Sequence, residues 1–233
     1  MTIFHILGSS SLIANALSKK LKLKNEVFCY SSKKSNKNSL NDFFEKNLRN
    51  SIVIYFCHIK DNLNGNLYLL NKTIKYCKKF NCKFIYISSI NAQKPQLSLY
   101  SLIKYECEKE VKNNNYINLR LGVVTSKKPF GPYQSLLKIK KLPIQLIFPN
   151  NQIIHLTKID TFINFNFKKI NSNQTLLDKA INLNEFLWQK NNRYLGISLK
   201  LPIRLLRRIN LIYPLKSIFG RFLTLVAFNK KII

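Results

Sequence analysis

The feature that most constrains this chain is an alternation running through its first 125 residues. Short runs of β-branched and aromatic residues are each followed by a segment whose apolar positions repeat at helical spacing. The runs are IFHIL at 3–7, EVFCY at 26–30, SIVIYFC at 51–57, KFIYIS at 83–88 and INLRLGVV at 117–124. Helices are expected between them over 11–22, 42–48, 66–79 and 99–112. Strands separated by helices of this length return parallel, so the spacing predicts an α/β fold on a doubly wound parallel sheet. SIVIYFC has no polar face, as a strand covered on both sides requires. Only about 20 residues separate EVFCY from SIVIYFC, so a third strand there is stunted.

After Val124 the rhythm stops. Pro129, Gly131, Pro132, Pro143 and Pro149 mark loops between short elements, 175–190 reads as one helix, and the tail mixes apolar runs with Arg204, Arg207, Arg208 and Arg221. The expected division is a nucleotide-binding domain over 1–125 and a small, reduced C-terminal substrate region over 126–233. With 46% apolar residues the chain can bury a full core, and 39 basic against 10 acidic residues give it a net charge of +29. Such an excess draws a protein toward anions, though an abundance of Lys, Asn and Ile also describes a solvated, compositionally drifted surface. The aromatic residues fall mostly in the strand and core-helix runs and no reader motif occurs, so nucleic acid is not expected as a partner. The five cysteines are odd in number and make no C-x-x-C pair, and three scattered histidines cannot complete a metal cluster. A reducing, cytoplasmic setting and no metal are the expectation. No uncharged run is long enough to span a bilayer.

Gly8 sits between the first strand and its helix, where a tight turn lets a helix N-terminus face a pyrophosphate. Read as G-x-x-G-x-x-G, the stretch Gly8-Ser9-Ser10-Ser11-Leu12-Ile13-Ala14 keeps the first glycine, has Ser11 at the second place and Ala14 at the third. Ser11 crowds a phosphate with its Cβ but brings a hydroxyl that can donate to it. A plain βα turn with a serine N-cap fits the same residues. At the end of the second strand, where a carboxylate would hold the ribose of NAD, stand Ser31, Ser32, Lys33 and Lys34. Hydroxyls and ammonium groups suit a 2′-phosphate, which favours NADP and leaves NAD as the alternative.

Tyr-x-x-x-Lys occurs four times, at Tyr30/Lys34, Tyr68/Lys72, Tyr100/Lys104 and Tyr105/Lys109, so the pattern alone carries nothing. Tyr100/Lys104 differs in following a strand that ends in Ser88 and Ser89, at the sheet edge where ligands bind in such folds. One helical turn apart, the two side chains share a face. A lysine that lowers the tyrosine pKa, a serine that steadies the reacting oxygen and a tyrosine that passes the proton make a hydride-transfer site.

These residues resemble the short-chain dehydrogenase/reductase superfamily, and more closely its extended branch, the NAD(P)-dependent epimerase/dehydratase family of nucleotide-sugar enzymes. The likeness rests on Gly8-x-x-Ser11-x-x-Ala14, on FIYISS, on YSLIKYECE with Tyr100, Lys104 and Glu108, and on LRLGVV. IIHLTKID, with His155 and Asp160, is a fainter echo. The resemblance implies a Rossmann-like sheet and Ser89, Tyr100 and Lys104 as catalytic residues, with Ser89 preferred to Ser88 as lying first after the strand. It further implies a cofactor held by Gly8, Ser10, Ser11, Leu12, Ser31, Ser32, Lys33, His58 and Lys104, a nucleotide-sugar substrate, and a homodimer as an open state. Ser89 precedes Tyr100 by 11 positions, which shortens the loop over the substrate. A non-catalytic NADP-binding sensor or scaffold is one alternative. A basic protein peripheral to the inner face of the membrane, attached through 201–233, is another. Arg120 is expected to pair with Glu108 or Glu110, and Asp160 to cap a helix.

Overall fold

A computed structural model describes residues 1–31, 38–141, 145–147, 153–188 and 198–200. They form two compact units, one of Met1–Leu121 with Ile159–Leu176, the other of Gly122–Lys158 with the described residues from Leu177 onward.

In the first unit, β1 (Ile3–Leu7), β2 (Glu26–Tyr30), β3 (Ser51–Tyr55), β4 (Lys83–Ser89) and β5 (Ile117–Leu121) alternate with α1 (Leu12–Leu21), α2 (Leu40–Phe43), α3 (Leu63–Lys79) and α4 (Leu99–Asn113). The second unit starts with β6 (Val123–Thr125), α5 (Gly131–Lys140), β7 (Gln145–Ile147) and β8 (Ile153–Lys158). The chain then returns to the first with α6 (Ile159–Ile163) and β9 (Gln174–Leu176), before β10 (Lys179–Asn182), α7 (Leu183–Trp188) and β11 (Ser198–Lys200). The main sheet has the order β2-β1-β3-β4-β5-β9, and every pairing in it is parallel. In the second unit β8 pairs with β10 antiparallel and with β6 parallel, and β7 pairs with β11.

All five residues of β3 are buried, as its unbroken apolar sequence demands. Val53 and Tyr55 pack with Leu7, Leu70, Ile74, Phe84 and Ile103 in one cluster. Full burial of side chains of this size contributes about 1.5–3 kcal/mol each, which holds the apolar faces of the helices to the sheet. The turns entering β3, β4 and β5 are tight because Asn50, Asn81 and Asn115 take left-handed backbone angles, with φ of 57°, 50° and 58°. Asparagine tolerates that region better than other side chains do. The stunted third strand is a single bridge between Ser31 and Ser39.

Several sequence expectations shift. The helix expected over 42–48 is Leu40–Phe43, because Ser39 and Asp42 form a capping box that starts it earlier. The run 117–124 is two strands broken at Gly122, where a Cβ would lie 2.4 Å from the His155 carbonyl oxygen. The helix expected over 175–190 is instead β9, β10 and the short α7. Asp178 Oδ2 accepts from the Lys158 amide at 2.6 Å, and Lys179–Asn182 pair along β8, so strand pairing overrides the helical spacing. Asp160 lies inside the first turn of α6, which Ile159 begins, so it is not at the N-cap position. The tail 201–233 lies outside the described residues.

His5 is buried at 2% exposure, stacked between Phe28 and Tyr30, with Nδ1 3.0 Å from the Tyr30 hydroxyl. Burial first, and Lys46 second, lower its pKa from 6.5 to about 4. The folded protein therefore keeps His5 neutral while the unfolded chain protonates it below pH 6.5, so stability is present above that pH and is lost as pH falls toward 4. Urea unfolding at pH 7.5 and pH 4.5 should show an acid loss of about 2.5 kcal/mol that His5→Phe largely removes. An equal acid loss in both proteins would disprove this assignment.

Candidate active site

Strand order reverses between β1 and β3, so a crevice opens at the carboxyl edge where their following loops part. Gly8 turns there with φ of 81°, its amide donating to Tyr30 O at 2.9 Å, and a Cβ on it would lie 2.8 Å from the Cys57 amide nitrogen. The close approach of β1's turn to the end of β3 is thus possible only for glycine. Gly8→Ala should cost about 2–3 kcal/mol in urea unfolding and weaken dinucleotide binding. Gly131→Ala, at φ of 53° with nothing within 4 Å, should cost about 1 kcal/mol. Equal losses at the two glycines would refute the packing argument.

Ser11 caps α1, its hydroxyl accepting from the Ala14 amide at 3.2 Å, and the same hydroxyl keeps its proton to donate. Ser10 and Leu12 are exposed beside it, while Ser9 is buried and donates to Tyr30 O. Ser31 is buried and its amide donates to Asn38 O at 3.3 Å, whereas Ser32, Lys33 and Lys34 lie outside the described residues. The described end of β2 carries no carboxylate.

β4 extends through Ser89, which is its last residue and not the first after it. Alternation along the strand separates the two serines. Ser88 Oγ is buried with no partner, and Ser89 Oγ accepts from the Asn91 amide at 3.3 Å. Tyr100 sits in the first turn of α4, which Ser98 caps by accepting from the Ser101 amide at 3.1 Å. One turn on, Lys104 is 5% exposed, donates from Nζ to Ile87 O at 3.0 Å and lies 4.7 Å from the centroid of the Tyr86 ring. Lys104 thus reaches the last residues of β4, and Tyr100 stands one helical turn before it on α4. The remaining pairs do not converge: Tyr30 is buried on β2 against His5, Tyr68 is exposed on α3, and Lys109 lies 3.7 Å from Glu106.

The electrostatics depart from one expectation. Tyr100 is 37% exposed as a residue, yet burial around its hydroxyl raises its pKa, and the influence that lowers it is the Ser89 hydrogen bond. Lys104 is itself pulled down to about 8 by burial, against the raising effect of Cys107, Glu108 and Cys57. It is therefore still mostly charged at pH 7 and loses its proton only slightly above neutrality.

His58, at the end of SIVIYFC, stands edge-on to Tyr100 with ring centroids 5.1 Å apart. Although exposed as a residue, its ring has a pKa lowered first by burial and then by the Lys104 ammonium. Its loop is fixed by Asn66 on α3, which accepts from the Ile59 amide at 2.9 Å and donates to the Ile59 carbonyl at 2.6 Å. Sequence reading missed Asn66, Tyr86 and Cys57 as the support of this site. Tyr86 could have been found from its place two residues before Ser88 in the strand. Arg120 pairs with Glu108 through two hydrogen bonds of 2.9 and 2.6 Å, which fixes the middle of α4 to β5.

No protein-family model matches the sequence, and no curated protein matches it. Solved structures do match in shape. A UDP-N-acetylglucosamine 4-epimerase from Methanobrevibacter ruminantium M1, in complex with UDP-N-acetylmuramic acid, superposes with a TM-score of 0.63 over 86% of each chain at 16% identity. The ADP-L-glycero-D-manno-heptose-6-epimerase of Helicobacter pylori gives 0.65 over 85% of each chain at 14% identity. A human epimerase family protein with NADPH gives 0.67 over 98% of this chain and 89% of that one, also at 14% identity. The fold is Rossmann-like. At these identities the likeness extends to architecture, and the residues described above carry the rest.

Proposed function

We propose that this chain belongs to the extended short-chain dehydrogenase/reductase superfamily. It binds NADP at the carboxyl edge of the main sheet and acts on a nucleotide sugar as an oxidoreductase, epimerase or dehydratase. The observation that carries this reading is Lys104, buried one helical turn after Tyr100 and donating to Ile87 O two residues before β4 ends at Ser89. Support for the substrate class comes from the similar structures, two of which are nucleotide-sugar epimerases by name.

The turn from Gly8 through Ser10, Ser11 and Leu12 would hold the pyrophosphate with the amides of the first turn of α1. Ser31, Ser32 and Lys33 would meet the adenosine ribose and its 2′-phosphate. Lys104 would hold the other ribose, and His58 would close the side of the crevice next to Tyr100. When bound, the nicotinamide donates or accepts the hydride. Ser89 donates a hydrogen bond to the substrate oxygen, and Tyr100 Oη gives up or takes the proton as that oxygen changes between carbonyl and alcohol. Residues 126–158 and 177–233 would form the substrate region, in a cytoplasmic protein.

Thermal unfolding with NADPH, NADH and a panel of nucleotide sugars tests the reading, because a ligand that binds only the folded state raises the midpoint with its affinity. NADPH should raise it more than NADH, and at least one UDP- or ADP-sugar should be turned over with the cofactor. No shift with either dinucleotide would end the proposal. A shift without turnover of any sugar would reassign the chain as a non-catalytic NADP-binding protein.

A further inference from the structure

The main sheet has two rims, and their charges differ. The described turns entering its strands, 19–25, 44–50, 78–83, 109–116 and 166–173, hold 13 Lys or Arg against two Asp or Glu. Those described on the opposite rim, 8–11, 56–62 and 89–98, hold two against one. Because every strand of this sheet is parallel, the C-terminal ends of α1, α3 and α4 and the approach to β9 all fall on the basic rim. Lysines in the last turn of a helix complement its dipole, which accounts for a few of these charges. It does not account for Arg49, Lys83, Lys168 or Lys169, which belong to no such turn.

The same rim displays apolar surface. Leu23, within Lys20-Leu21-Lys22-Leu23-Lys24, is 73% exposed between exposed lysines. Beside it opens a hollow of about 410 Å³ lined by Lys20, Leu23, Lys24, Phe165 and Lys168. Buried Asn25 Oδ1, in a residue that also lines this hollow, has no hydrogen-bond partner.

We infer that the strand-entry rim of the first unit is a docking surface for an anionic phospholipid bilayer. Twelve of its 13 cations are lysines, which act as point charges toward a diffuse negative surface and lack the planar fork that arginine offers to individual phosphates. An exposed leucine among lysines adds insertion into the acyl boundary. The described part of this rim shows no exposed aromatic residue on which a nucleic-acid base would stack. Docked this way, the carboxyl edge with Tyr100 and Lys104 faces away from the lipid.

Co-sedimentation of the full chain with phosphatidylcholine vesicles, with and without phosphatidylglycerol, tests this. Binding should require the anionic lipid and should fall as salt is raised from 0.1 to 0.5 M. The triple change Lys20→Gln, Lys22→Gln, Lys24→Gln should weaken it by about a hundredfold. Leu23→Ser alone should weaken it severalfold, with thermal midpoints kept in both. Lys60→Gln with Lys94→Gln, on the opposite rim, should leave it unchanged. Binding that survives the triple change, or that is lost instead on changing Arg204, Arg207 and Arg208 to Gln, would overturn the inference. So would tighter binding to single-stranded RNA than to the vesicles at equal salt.

Discussion

Tyr100→Phe should lower turnover by about 10²- to 10⁴-fold, the span expected when a positioned proton donor is removed from a reaction that needs one. The ring stays against His58 and only the hydroxyl that meets Ser89 is lost, so the crevice for the dinucleotide keeps its shape. NADPH affinity should therefore stay within about twofold of wild type, read by fluorescence titration. Retained turnover, or an equal loss of binding and turnover, would remove Tyr100 from the chemistry. Because burial raises its pKa, the free protein holds Tyr100 protonated at neutral pH.

Lys104→Met should act on both quantities. Its ammonium is buried where it donates to Ile87 O near the end of β4, and methionine fills a similar space while leaving Ile87 O without that partner. Turnover should fall by about 10²-fold and NADPH affinity by about tenfold. The decisive readout is pH. With its pKa lowered to about 8, Lys104 is charged below that value and neutral above it, so wild-type NADPH affinity should decline as pH rises through 8. The variant should show no inflection there. A wild-type profile flat between pH 7 and 9 would mean that Lys104 does not hold the cofactor.

Much of the nucleotide half was legible because its information is local. IFHIL, EVFCY and KFIYIS define strands to within a residue, since apolar runs bounded by turn residues leave little else for the backbone to do. The candidate site stood out for a different reason. Four Tyr-x-x-x-Lys patterns look alike in the sequence, and only the position of a strand end relative to a helix start separates Tyr100/Lys104 from the others. What could not be read depends on partners distant in sequence. The helical spacing of 175–190 was genuine, but β8, some 20 residues earlier, claims Lys179–Asn182 as a strand. Nor does any local signal announce that Ser89, not Lys104, tempers Tyr100, because that depends on which side chain the phenol meets.

The sixth strand of the main sheet comes from beyond the second unit's opening elements: Leu119–Leu121 are paired by Gln174–Leu176, and Asn173 Oδ1 takes the Asn118 amide at 2.7 Å. A fragment ending near residue 125 would leave this flank of β5 bare, an open template for sticking to other chains. Anyone expressing the Rossmann-like half by itself therefore has to splice 159–176 back onto it, and on the ribosome that half cannot be finished until Leu176 has been added.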